Sequence, residues 1–243
     1  MIPDLDQRFV AAVQSFWDAR SRQAQEQAER GTIDAGTRGA VTGGTQMGAL
    51  EVLITDILLD AGLNRPHVHT RTALELPGYY RPEKQWDLLV VADDRLVIAI
   101  ELKSHVGPSF GNNYNNRTEE AIGNAEDLWT AYREGRLGKT PPPFLGWLMI
   151  LEDCPAVHRP IRAVEPYFKI DPVFLPGGQY ASYAQRYAIL CERLVLERKY
   201  DAACVALTTP ARPTAITFPV RHFDFTQFAF AIDAHARRFT ARA

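Results

Sequence analysis

The chain has 243 residues, of which 46% are hydrophobic and 23% charged. These are ordinary globular values, and they exclude disordered, collagen-like and coiled-coil classes. A formal net charge of −2 announces no polyanion partner, so any basic surface has to be local. Apolar runs such as Leu88 to Ala92 and Leu96 to Ile100 fall far short of the roughly 20 residues that a membrane helix needs. The opening Met1-Ile2-Pro3-Asp4-Leu5-Asp6 has neither a basic region nor an apolar core of a secretion signal. The expectation is a cytoplasmic protein with one domain over residues 1–243. Cys154, Cys191 and Cys204 are odd in number and widely spaced, which suits buried thiols better than disulfides or a zinc site.

From the N-terminus, Leu5, Phe9, Val13, Phe16 and Trp17 recur at helical spacing and predict a helix over Asp4 to Arg30, stopped by Gly31. A Gly/Thr-rich loop over Gly31 to Thr45 precedes a second helix from Gln46 to Ala61, closed by Gly62. His67 to Leu76 alternates in the manner of a strand. Trp86 to Ala92 and Arg95 to Lys103 are apolar, β-branched runs split by Asp93-Asp94, a hairpin signal. Gly107 to Asn116 reads as a polar loop. Asn116 with Glu119 resembles a capping box, so the next helix is expected to open there and run to Gly135 on Ala121, Ile122, Ala125, Leu128, Trp129 and Tyr132. Pro141-Pro142-Pro143 leads into a buried strand over Phe144 to Leu151. Helices over Tyr183 to Arg198 and Phe225 to Phe239 flank a strand at Ala202 to Thr208. Helices alternating with strands, one strand pair joined by a tight turn, predict an α/β fold with a mixed sheet flanked by helices.

The chemistry is concentrated in Glu101-Leu102-Lys103. Side chains alternate along a strand, so the carboxylate and the ammonium share one face. In the hairpin Asp87 falls opposite Glu101 only if the turn centres on Asp94, which requires a three-residue or bulged loop. Asp87, Glu101 and the Leu102 carbonyl would then offer a hard divalent cation a partial oxygen shell. Lys103 could hold an attacking water or offset developing charge, and the carboxylates keep it protonated unless burial dominates. The same spacing also suits an exposed hairpin whose charges merely end the strands. Glu51 sits on the flank of the apolar stripe Met47, Leu50, Ile54, Ile57, Leu58 and Ala61, where it is either an additional ligand or a partly solvated residue.

Asp87, Glu101 and Lys103 behind a helix carrying Glu51 resemble the PD-(D/E)XK nuclease superfamily. The longer run Glu101-Leu102-Lys103-Ser104-His105-Val106-Gly107-Pro108-Ser109-Phe110-Gly111-Asn112-Asn113-Tyr114-Asn115-Asn116-Arg117-Thr118-Glu119-Glu120 is similar to the XhoI family of type II restriction endonucleases, as is Gly43-Gly44-Thr45-Gln46-Met47. Trp86 stands where the superfamily's name has proline, which supplies no ligand. The resemblance implies a PD-(D/E)XK core and an Mg²⁺-dependent homodimer acting on double-stranded DNA. It further implies that the palindrome CTCGAG is cut after its first C to leave a 5′ overhang, and that a cognate adenine methyltransferase protects the host. A structure-selective nuclease and a catalytically silent DNA-binding protein of the same fold are the rival readings.

Asn112, Asn113, Asn115, Asn116 and Arg117 carry the amide and guanidinium groups that bidentate contacts to adenine and guanine require, so this loop is expected to enter a groove. An Asn-rich turn capping the next helix has the same composition. Arg81, Lys84, Lys139, Arg159 and Arg162 are phosphate-contact candidates, although any one of them is more simply a solvated surface charge. His67 and His69 share a face but lack further ligands at matching spacing, and are read as structural. His105 continues the face of Lys103, to touch phosphate or to end the strand at the surface. Phosphate-loop, zinc-protease and nucleophile-elbow motifs are absent from the sequence.

Overall fold

The computed structural model describes residues 2–29, 46–138 and 141–241, with the side chains of 27–29 left aside. The expected loop over Gly31 to Thr45, including Gly43-Gly44-Thr45, and Lys139 lie outside them. In chain order the elements are α1 (Leu5–Glu29), α2 (Gly48–Asp60), β1 (Val68–His69), β2 (Glu75–Pro77), β3 (Glu83–Gln85), β4 (Leu88–Ala92), β5 (Arg95–His105) and α3 (Phe110–Arg133). They continue with β6 (Phe144–Glu152), the single turn α4 (Pro155–His158), α5 (Tyr183–Leu196), β7 (Ala202–Thr208), β8 (Ile216–Thr217) and α6 (Phe225–Thr240).

Six strands form one mixed sheet in the order β1-β4-β5-β6-β7-β8, and β2 with β3 forms a separate two-stranded sheet. The centre, β5-β6-β7, is parallel, while β1, β4 and β8 run antiparallel to their neighbours. A parallel centre has to be covered on both faces, and the helices divide accordingly. Leu88, Ile98, Ile100, Leu148 and Cys204 point into a core shared with α1, α2 and α6. Ala99, Trp147, Met149 and Val205 point to the other face, against α3 and α5. The first core is closed by Phe9 stacked on Phe225 with centroids 3.9 Å apart, and by Trp17 Nε1 donating to Thr208 Oγ1 over 3.1 Å. A capping box of Ser182 and Gln185 starts α5, and Asp224 caps α6.

The β4–β5 hairpin meets the arithmetic of the sequence in an unforeseen way. Its turn is the two residues Asp93 and Asp94, with φ of 51° and 55°, the left-handed pair that a type I′ turn demands. The extra residue lies in the ladder and not in the loop. Val91 pairs with Leu96, whereas Val90 pairs with Ile98, so Val97 bulges out. Val97 and Ile98 consequently both enter the α1/α2/α6 core. Beyond the bulge Leu88 faces Ile100, and one further step sets Asp87 across from Glu101.

Two expected boundaries are corrected. The strand over His67 to Leu76 is broken, because Arg65-Pro66-His67 forms a 3-10 turn and Ala73 adopts a φ of 56°. Only Val68–His69 joins the main sheet, and Glu75–Pro77 pairs with β3. Helix α3 opens at Phe110, six residues before the expected Asn116. Phe110 is buried with its ring 4.8 Å from His105 and 6.0 Å from Tyr183, and this packing outweighs the weak helix preference of the asparagines. Cys191 and Cys204 are buried free thiols as expected, whereas Cys154 is only half-buried. No helix among the described residues is long and apolar enough to cross a membrane.

Ile98 is buried with no exposed surface between the sheet and α1, α2 and α6. Replacing it with Ala is expected to lower unfolding stability by about 2–5 kcal/mol, read by chemical denaturation. A loss below about 0.5 kcal/mol, the range of surface substitutions, would mean that this core is not packed as described.

Candidate active site

The candidate site lies where β5 leaves the hairpin. Glu101 is buried with no exposed surface and points toward α3 and α5. Its Oε2 accepts from Asn124 Nδ2 on α3 at 2.8 Å. Its Oε1 faces two ammonium groups, those of Lys103 at 3.4 Å and of Lys84, which is in direct contact. Asp87 Oδ2 accepts from the Leu102 backbone N–H at 2.8 Å and lies 3.5 Å from Lys103 Nζ. Asp87, Glu101 and Lys103, taken from the sequence as one constellation, are thus gathered within ion-pair distance.

The charges tune one another. Burial works to raise the Glu101 carboxyl, but the ammonium groups of Lys103 and Lys84 and the Asn124 hydrogen bond prevail and hold it below the usual carboxylate range. Burial likewise opposes the charge on Lys103, yet Glu101 and Asp87 outweigh it, and Lys103 titrates above an ordinary lysine. For Lys84 the balance is reversed. Burial prevails over the attraction of Glu101, and its affinity for the proton is lowered.

Glu51 is buried on α2, not half-solvated. Desolvation, followed by the negative charge of Asp87, pushes its carboxyl up to about 7, against a smaller opposing pull from Arg71. It therefore senses the site electrostatically. Among the described residues, however, no three or more His, Cys, Asp or Glu side chains are gathered as a ready metal cage. His67 and His69 likewise belong to no such group.

Two participants were missed by the sequence reading. Lys84, taken for a solvated charge, is inserted between Glu101 and the Trp86 ring, 4.5 Å from its centroid. Asn124 reaches the site from about four turns into α3. Both depend on a tether unreadable in the sequence. Asp127, buried on α3, accepts from the backbone N–H groups of Tyr79 and Tyr80, each at 2.8 Å, and from Arg81 Nε at 2.8 Å. Arg81 Nη2 also donates to Asn124 at 2.6 Å. The β2–β3 connection is thereby pinned to α3, which delivers Lys84. Arg81 is thus committed to this tether and is no free phosphate contact. Arg159 and Arg162 are exposed.

The asparagine-rich run forms the first turns of α3, where a loop was expected. Asn112, Asn115 and Asn116 are exposed on one ridge, while Asn113 and Arg117 lie half-buried beside it. Arg117 pairs with Glu120 at 2.8 Å, and both lie near enough to act on the charge of Lys103. His105 is buried and not a surface group. Its Nδ1 is 2.7 Å from Tyr187 Oη, and desolvation lowers its pKa to about 4. It therefore stays neutral near pH 7 and has no charge for a phosphate.

A six-stranded mixed sheet covered by helices, with two carboxylates and a lysine where a central strand leaves its hairpin, is an α/β fold of the restriction-endonuclease kind. A family model described as restriction endonuclease XhoI matches residues 26–217. The chain is 48% identical over 180 residues to the type II restriction enzyme BstVI of Geobacillus stearothermophilus, covering 72% of this chain and 79% of that protein. It is 48% identical over 198 residues to the type II restriction enzyme XhoI of Xanthomonas vasicola, covering 81% and 77%. The type II restriction enzyme AbrI of Azospirillum brasilense is 48% identical over 169 residues, covering 69% and 76%. The chain belongs to the XhoI family of type II restriction endonucleases. No solved structure gives a significant match.

The raised carboxyl of Glu51 makes a thermal prediction. Its proton is held more tightly in the folded chain, so its favourable contribution is complete below the ordinary carboxylate pKa of 4.5 and is lost as pH rises through about 7. Glu51→Gln, melted in chelator, is expected to gain stability relative to the parent above pH 8 and to lose that advantage near pH 4.5. A difference independent of pH would refute the assignment.

Proposed function

We propose that the whole 243-residue chain is one restriction endonuclease domain that works in the cytoplasm as a homodimer on double-stranded DNA. In this reading it cuts CTCGAG after the first C, leaves a 5′ overhang, and is paired with an adenine methyltransferase that shields the host site. The observation that carries the reading is the convergence of Asp87, Glu101 and Lys103 in a chain of this family. A two-fold dimer suits a palindrome because each protomer meets one half-site and one strand.

Asp87, Glu101 and the Leu102 carbonyl are the groups that would hold Mg²⁺. The donor chemistry fits. With Oε2 committed to Asn124, Glu101 Oε1 is a buried oxygen that faces only cations, beside a second carboxylate, and hard cations take such oxygens. When bound, the ion would neutralise phosphate charge and acidify a water. Lys103, kept protonated by both carboxylates, orients the attacking water and offsets negative charge developing on the phosphate. Glu51, whose proton is held up to about pH 7 by burial and by Asp87, is an additional carboxyl group beside the site. The Asn112, Asn115 and Asn116 ridge supplies amides for base edges in the major groove. Arg117, with Asn113 beside it, is turned toward the phosphate near Lys103. His105 supports the wall of the site through Tyr187 and leaves the DNA to others.

The decisive experiment is incubation with Mg²⁺ and linear DNA holding one CTCGAG site, with the ends mapped. Two fragments with ends inside the site are expected, and Asp87→Ala or Lys103→Ala should remain folded while cleavage falls by at least about 100-fold. Discrete cuts elsewhere would discard the recognition sequence, scattered cuts would favour a structure-selective nuclease, and a gel shift without cleavage would favour a silent binder. Asn115→Ala with Asn116→Ala should lose about 1–3 kcal/mol of discrimination per bidentate contact removed, measured as the cleavage ratio between CTCGAG and single-base variants. An unchanged ratio would remove the ridge from base reading.

A further inference from the structure

Lys84 brings to the site a charge that hydrolysis as described above does not use. Its ammonium contacts Glu101 Oε1 and lies over the Trp86 ring, and its side chain is only 12% exposed. Lys103 approaches the same oxygen from its own strand and also reaches Asp87. The two carboxylates therefore already face two ammonium groups. A divalent cation entering this set meets a neutral site, and the oxygen it requires is in contact with Lys84.

The two lysines differ in how they are mounted. Lys103 is carried on β5 itself, with its ammonium between Glu101 and Asp87. Lys84 belongs to the separate β2–β3 sheet, opposite Leu76, and that sheet is tied to α3 through the Asp127 contacts at residues 79–81. A lysine stem of four carbons on a short hairpin can turn away without disturbing β5. Its natural new partner is an anion arriving at the site, and a DNA phosphodiester is one.

We propose that Lys84 is a tethered cation that holds Glu101 in its buried position while the site lacks metal, and that yields Oε1 to the divalent ion when DNA phosphate receives its ammonium. The proposal rests on Asp87 and Glu101 being the metal ligands. Lys84 is then a positioning residue, acting through Glu101. Its presence makes metal binding weak in the free protein and couples that binding to DNA, since each ligand favours the same withdrawn state of Lys84.

The test is calorimetric titration of Mg²⁺ into the DNA-free protein, which needs no turnover. Lys84→Met keeps an apolar chain over Trp86 and removes the charge; it is expected to bind Mg²⁺ at least about tenfold more tightly than the parent, because a unit charge beside the ligand oxygen has gone. Lys84→Arg should restore the parent affinity. If the Met variant does not fold by circular dichroism, Lys84→Gln takes its place with the same expectation. Equal or weaker Mg²⁺ binding in the neutral variant would overturn the proposal and leave the metal reading intact. Absence of Mg²⁺ binding in parent and variant alike would overturn both.

Discussion

An ionised carboxylate with no exposed surface is costly unless its charge is matched where it sits, and Glu101 imposes that condition on everything around it. Asn124, Lys103 and Lys84 meet the condition from three different elements. Asn124 and Asp127 lie one turn apart on α3, so the helix that satisfies Glu101 also fixes the connection bearing Lys84. The arrangement closes on itself, from β5 to α3, from α3 to the 79–81 segment, and from there through β3 back to Glu101. Truncating any one partner leaves a buried charge or amide unmatched, a costlier loss than that of an exposed ion pair.

Helix α3 joins three environments along its length. Phe110, Ala121, Ala125 and Leu128 seat it in the core. Arg117, Glu120 and Asn124 turn toward Lys103 and Glu101, and Asn112, Asn115 and Asn116 face outward. At 3.6 residues per turn these sets occupy separate stripes of one cylinder. A shift of the outward stripe therefore moves the groups beside Lys103 as a rigid unit.

The hairpin, the two later strands and the late helices were legible because each writes its periodicity locally: Ala202 to Thr208 is a strand in both readings, and α5 and α6 open at Tyr183 and Phe225, where those helices were expected. Asp87, Glu101 and Lys103 were legible as a pattern of period two plus a register condition. Lys84 and Asn124 were not, because their approach to Glu101 is decided by the Asp127 tether, a contact spanning more than 40 positions. The start of α3 was misplaced because asparagine's local preference lost to the burial of Phe110. His105 was misjudged for a similar reason, since only the assembled α5 supplies Tyr187 to cover it. The register condition was right in requiring an extra residue and wrong in placing it in the loop.

That extra residue has a consequence for how this strand can vary between relatives. Because β5 alternates between two cores, inserting or deleting one residue between Ile98 and Glu101 would exchange the faces, sending Glu101 among Leu50, Ile54 and Phe228 and Ile100 among the charges. Variation there is confined to substitution. Val97 is where the strand accommodates an uneven count, on the turn side of the site, where two adjacent apolar residues can both point into the same core. Length changes in this hairpin are therefore tolerable only from the bulge outward, and the stretch from Ile98 to Lys103 behaves as an indel-free block whose reading frame is set by the sheet.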